Sequence, residues 1–357
     1  MRSAGEDESV PGPSNQAPDP RPVTSTRPVR LAVTVGDPRG IGPEILPSAV
    51  RQLLHASPEV EIVVLGDEES VSRAPKGIEG RSFGSFDGSL EHAGSLSLRA
   101  LEGGVQMAMR KEVHALVTGP VHKPALRRAG TPYPGQTELL QHLVDAKSVG
   151  MLMHAESTRQ GSGAFRVLLA TTHVAFRDVP AILTYARVRE QVTLLWHSLR
   201  NQWGIEAPRI ALCGLNPHAS DDGLFGDEER VVLSPAAQSL RDAGVDVSDP
   251  LPADTVFLRM IEGVVDAVVV PYHDVGMAVF KTVAFGQGVN VTLGLPFPRT
   301  SPDHGTAFDR VGTGTADDSS LVAALSLAAK LASREKYLSA RRVTDGLKRS
   351  PGHPFSL

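Results

Sequence analysis

The sequence predicts an α/β protein in which several strands deliver polar residues to one edge of an open, parallel sheet, and two observations carry that prediction. Short β-branched, apolar runs recur between helix-like stretches, the pattern of strands joined through helices. Three of these runs also end alike. Residues 167–170 (VLLA) lead into Thr171, Thr172 and His173; 210–214 (IALCG) into Leu215, Asn216, Pro217 and His218; 268–270 (VVV) into Pro271, Tyr272, His273 and Asp274. In an open parallel sheet the carboxyl ends of the strands share an edge, and ligands bind there. One histidine after a strand is ordinarily a loop residue. Three in the same structural position suit a divalent metal with positions left open for substrate.

Composition narrows the function classes. A chain of 357 residues fits one large α/β unit or two domains. With 36 basic against 40 acidic residues, nothing points to nucleic acid or an anionic membrane as partner. Cys213 is the only cysteine, which excludes an internal disulfide and fits a reducing compartment. No apolar run reaches membrane-spanning length and the amino terminus lacks the apolar centre of a signal peptide, so a soluble, cytoplasmic protein is expected.

In chain order, residues 1–29 are rich in Pro, Ser, Asp and Glu and are expected to be a disordered tail. A strand over 31–35 runs into a Gly-rich turn, 36–44, with Pro43 suited to a first helical position. That turn matches neither the dinucleotide fingerprint nor a P-loop. A second strand covers 61–65, the Gly- and Ser-rich stretch 76–96 reads as loop or edge structure, and helical periodicity runs over 98–111. The strand 115–118 exits through Gly119 to Lys123. A helix starting at 135–138 offers free N–H groups to an anion, with Thr137 either an N-cap or a contact. A helix covers 186–203. The acidic run 221–229 reads as a solvated face, and 252–255 opens a helix with Asp254 either capping it or pointed at the metal. Lys281, Asn290 and Arg299 are good donors to an anionic substrate. Residues 303–309 form a small-residue binding loop, and 317–332 is an Ala/Leu-rich core helix before a basic, polar tail.

The ordered set VTVGDPRGIGPEI, VTGPVHK, GQTE, TTHVAFRDV, GLNPHA, PADT, YHDVGM, FGQGVNVTLGLPFPRTSPDHGTAFD and GTGTAD, spanning about residues 30 to 330, resembles the 4-hydroxythreonine-4-phosphate dehydrogenase family of vitamin B6 synthesis. The resemblance implies an isocitrate/isopropylmalate dehydrogenase-like fold with two α/β/α domains, residues 30–150 with 285–357 and residues 151–284, and an active-site cleft between them. It implies a homodimer with a shared site, in which three histidines hold a divalent metal (zinc, magnesium, cobalt or manganese), one of them from the partner subunit. Here they fall on His173, His218 and His273. Substrate contacts carry over onto Gln136, Thr137, Lys281, Asn290 and Arg299, and the loop His304, Gly305, Thr306, Ala307 and Asp309 corresponds to the one that holds the adenosine part of NAD. The implied reaction oxidises and decarboxylates 4-phosphohydroxy-L-threonine to 3-amino-2-oxopropyl phosphate. Asp254, Asp274 and Lys123 are candidates for taking the alcohol proton.

The chain departs from the family pattern at Gln136, where an imidazole is usual, at Asp37 in place of Glu, and at Thr315 in place of Lys. A neutral amide can donate a hydrogen bond but carries no charge to phosphate. The alternative substrates are therefore a D-erythronate or D-threonate 4-phosphate, or a cyclic diol carboxylate.

Overall fold

The computed structural model describes Pro28 to Lys348 apart from Gln160 and Ser162. All but the last two residues of the expected leading tail lie outside that range, as does the end of the carboxyl tail; Val29, within it, is buried.

The strands are β1 Arg30–Thr34, β2 Glu61–Gly66, β3 Glu79–Ser82, β4 Ala115–Thr118, β5 Gly150–Ala155, β6 Phe165–Leu169, β7 Ile210–Cys213, β8 Val247–Leu251, β9 Ala267–Val270, β10 Val289–Leu293 and β11 Arg299–Pro302. They form one 11-stranded sheet in the order β3-β2-β1-β4-β11-β10-β5-β6-β9-β7-β8. The stretches expected to form separate domains occupy its two ends and meet at the β10–β5 pairing. Near-continuous apolar runs suit strands covered on both faces, and β4, β7 and β9 are buried at every position.

The expectation of strands sharing an edge holds for part of the sheet. Strands β6, β9 and β7 are adjacent and parallel, so the three histidine-bearing ends do lie together. Three successive antiparallel pairings, β11–β10, β10–β5 and β5–β6, then reverse the direction. The parallel strands β1, β2, β4 and β11 therefore end at the opposite edge, and residues following β4 and β6 can meet only across a face of the sheet.

Helix boundaries differ from those expected in two places. The helix read from 98 begins at Leu90, because Ser89 caps it by accepting from His92 N at 3.1 Å, so part of the stretch read as loop is helical. The rest of that stretch supplies the edge strand β3. The last helix spans Ser319–Lys348, well past Ala332, and Thr300 Oγ1 on β11 donates to Ala324 O at 2.8 Å where it crosses the sheet.

Candidate active site

A cleft of about 310 Å³ crosses the face of β5 and β10. Alternate residues of those strands, Met151, Met153 and Asn290, form its floor, because Met153 and Asn290 are register partners and point the same way. The exit of β4 and the start of the helix Gln136–Leu143 wall one end; His173 and His273 stand at the other. The turn after β1 is pressed against the exit of β4. A Cβ on Gly36, where φ is +91°, would lie 2.2 Å from Pro120 O, and Asp37 N donates to that same carbonyl at 2.9 Å.

Arg299 dominates the β4 end. It is 2% exposed, yet among the described residues no carboxylate pairs with it: Nη1 donates to Thr292 Oγ1 at 2.9 Å, and Nη2 to Thr118 Oγ1 at 2.5 Å and Gln136 Oε1 at 3.0 Å. Burial lowers its pKa to about 10, against the pull of Glu138, so it remains charged at neutral pH. Its Nε and the Oδ1 of Asn290 are buried without partners. A buried cation held only by neutral oxygens is costly unless an anion completes it. Gln136 is locked between Arg299 and Gly119 O, to which Nε2 donates at 3.2 Å, leaving one amide hydrogen for a ligand. Thr137 is not the helix cap, since Gly135 occupies that position, and it lines the cleft.

The histidine end is built from residues that follow strand ends. The His173 and His273 rings are 5.5 Å apart because they follow adjacent strands. His273 opens the helix His273–Ala284, and its Nδ1 lies 2.7 Å from Asp274 Oδ1, which orients the ring and frees Nε2. Although His173 presents much of its surface to solvent, partial burial lowers its pKa below the ordinary 6.5, and nearby Lys123 and His273 add to the effect. A neutral imidazole is the form that binds metal. These two rings fit a metal ion. His218 does not line the cleft, and among the described residues no group of three or more His, Cys, Asp or Glu side chains converges. Five consecutive residues from His218 to Asp222 have positive φ, and buried Glu229 staples the loop by accepting from Leu215 N at 2.7 Å and Asn216 N at 2.8 Å. The acidic run read as a solvated face thus contains a structural anchor.

The other expected residues divide. Lys123, His304 and Gly305 line the cleft. Lys281 does not, because its Nζ donates to Asp303 Oδ2 at 2.7 Å and Asp303 O at 2.9 Å, so its charge is already compensated. Asp254 is exposed, outside the cleft, and caps no helix; the Asp274 side chain is 88% exposed and bonds to His273. In the 304–309 loop, Thr306 O accepts from Ile41 N at 3.0 Å, Ala307 is left-handed at φ 43°, and Asp309 is exposed. His304 Nε2 is buried without a partner, and nothing stands within 4 Å of the position of a Cβ on Gly305, which leaves room for a ligand to lie on the backbone. Residues missed in the sequence are Glu138 and Asp303, whose signal, an acid beside an expected contact, is weak.

The comparisons agree with one another. The profile of the pyridoxal phosphate biosynthetic protein PdxA matches residues 48–328. A 4-hydroxythreonine-4-phosphate dehydrogenase of Stenotrophomonas maltophilia (strain K279a) is 39% identical over 337 residues, covering 87% of this chain and 99% of its own. Among solved structures, 4-hydroxythreonine-4-phosphate dehydrogenase from Klebsiella pneumoniae superposes with a TM-score of 0.75 at 36% identity, over 85% of this chain and 99% of that one. A terephthalate 1,2-cis-dihydrodiol dehydrogenase from Burkholderia xenovorans LB400 does so with a TM-score of 0.59 at 27% identity, over 85% and 98%.

Proposed function

The chain belongs to the PdxA family and is a dehydrogenase acting on a CH–OH group, and from that premise we propose that it oxidises and decarboxylates 4-phosphohydroxy-L-threonine to 3-amino-2-oxopropyl phosphate, with NAD and a divalent metal. Its fold is the isocitrate/isopropylmalate dehydrogenase-like α/β arrangement that goes with the family, and we read the two ends of the sheet as its two domains. One observation carries the substrate reading: a buried guanidinium without a carboxylate faces the paired imidazoles of His173 and His273 across one cleft.

The chain's own residues do the following. Arg299, Asn290, Gln136 and Thr137 bind the anionic end by charge-assisted and neutral hydrogen bonds. His173 and His273, with His218 of the partner subunit in a homodimer, hold the metal, which supplies Lewis acidity at the alcohol, while the nicotinamide supplies the hydride acceptor. His304, Gly305, Thr306, Ala307 and Asp309 hold the adenosine end of NAD. Asp274 keeps His273 in one tautomer. Of the three candidates for taking the alcohol proton, Lys123 alone lines the cleft, and we assign it that role. Asp303, which lines the cleft, holds Lys281 by an ion pair. Among the described residues no helix is long and apolar enough to cross a membrane, and we place the protein in the cytoplasm.

Gln136 favours a second reading, the same chemistry on D-erythronate or D-threonate 4-phosphate or on a cyclic diol carboxylate, and the likeness to a diol dehydrogenase supports it. NADH formation by purified protein with a divalent metal tests both. Highest kcat/KM on 4-phosphohydroxy-L-threonine is the expected result; preference for a sugar-acid phosphate or a diol acid replaces the substrate, and no reduction of NAD with any of them overturns the proposal.

A further inference from the structure

The cleft does not end at His173. A side cavity of about 170 Å³ adjoins it and shares Thr137, Glu138, Met151 and His173 with it. Most of the charge on its other walls is accounted for: Arg187 Nη1 donates to Glu190 Oε2 at 2.9 Å and its Nε to Ala170 O at 2.9 Å, while Lys147 is exposed. Glu138 is different. It is half-buried where the two spaces join, and among the described residues no hydrogen bond or ion pair engages its carboxylate. Its Oε2 lies 3.1 Å from where a Cβ on Gly135 would stand, so it bends back over the first turn of its helix, yet the bond to the capping residue's N–H that is usual for a glutamate at the third helical position is not made. Its charge reaches both ends of the cleft, opposing the lowering of pKa that burial imposes on Arg299 and on His173.

A carboxylate left unpaired beside a site for anions works against their binding unless it meets a cation of its own. The candidate substrates differ in such a group. With the phosphate at Arg299 and the alcohol between His173 and His273, the next carbon falls at the junction of the two spaces. In 4-phosphohydroxy-L-threonine that carbon carries an ammonium; in D-erythronate or D-threonate 4-phosphate it carries a hydroxyl. We propose that Glu138 receives the ammonium and so selects the amino acid over the sugar acids. The ammonium gives it a charge-assisted hydrogen bond, whereas the hydroxyl gives a weaker one and leaves the carboxylate facing a more negative ligand. This rests on the reading of the cleft as the site of a phosphorylated hydroxy acid and names what separates its two candidate substrates.

Steady-state NAD reduction with 4-phosphohydroxy-L-threonine and with D-erythronate 4-phosphate tests it. Glu138→Gln keeps the shape and removes the charge. It is expected to lower the ratio of kcat/KM values, amino acid over sugar acid, about a hundredfold, mostly through KM for the amino acid, with the melting temperature unchanged. Glu138→Asp is expected to recover part of the ratio. Equal loss on both substrates, or an unchanged ratio, overturns the assignment and leaves the proposed function standing. Wild-type preference for the sugar acid replaces the substrate of that function, whereas Glu138 is still judged by whether the ratio falls. Wild-type protein that reduces NAD with neither substrate overturns both.

Discussion

The two ends of the cleft are made in different ways. At the β4 end, Arg299, Thr118 and Thr292 rise from strands, and three of the five guanidinium N–H groups are bound, to Thr292, Thr118 and Gln136, so the proposed anion site is drawn from one chain. At the other end the histidines follow strands: two approach each other, one of them opening a helix, and the third stands apart on a turn of five left-handed residues, a conformation that costs about 1 kcal/mol or more at each non-glycine position. Groups fixed in a sheet are finished by the fold. Groups beyond the strand ends would, in the function proposed above, be finished from outside, by a metal and a second copy of the chain.

The largest effect expected is at the loop end. His173→Ala, His218→Ala and His273→Ala should each lower metal-dependent turnover by about a thousandfold or more while the melting temperature stays near wild type. Full activity in any one of them removes that residue from the metal site. Mixing His218→Ala with His273→Ala protein should recover part of the activity if the site is shared, and recovery of none would make each chain self-sufficient.

Arg299→Met tests the sheet end. It should cost about 10²- to 10³-fold in kcat/KM, mostly through KM, without loss of thermal stability, because an unpaired buried charge is replaced by an apolar chain of similar length. A large fall in melting temperature with KM unchanged would make Arg299 a structural residue. Asp274→Ala should weaken metal affinity about 10- to 100-fold by releasing the His273 ring, measured by competition with a chelator.

Gln136→His should shift the kcat/KM ratio toward 4-phosphohydroxy-L-threonine by several-fold; an unchanged ratio would sink the idea that position 136 sets the substrate. The smallest effect concerns a histidine outside the comparison. His154, on the opposite face of β5 from the cleft floor, is fully buried, and desolvation lowers its pKa below 6.5. Below pH 6.5 the unfolded chain takes up a proton there that the folded chain refuses, so stability falls as pH drops from about 6.5 toward the folded pKa and is unaffected above. Melting curves between pH 8 and 5 should be less pH-dependent in His154→Gln, with turnover intact.

What the sequence revealed and concealed divides along the same line. Strand ends carrying His173, His218 and His273 were legible because period and punctuation are local, and Arg299, read as a donor, does line the cleft. The reversal of strand direction through β5 and β10 was not, because pairing between residues more than a hundred positions apart leaves no local trace. For the same reason Lys281 read as a free cation, with Asp303 as its partner invisible until the fold brought them together. Asp254 read as a cap or a carboxylate pointed at the metal, and the fold gives the capping position to Thr255 instead.

The cleft floor has a chemical consequence of its own. Met151, Met153 and Met277 line it, whereas Cys213 is buried with its pKa pushed up to about 12 and so holds almost no thiolate. Peroxide would therefore damage this enzyme through thioethers. Each sulfoxide would set a polar, chiral group where the substrate lies, reversible by sulfoxide reductases and untouched by thiol reductants.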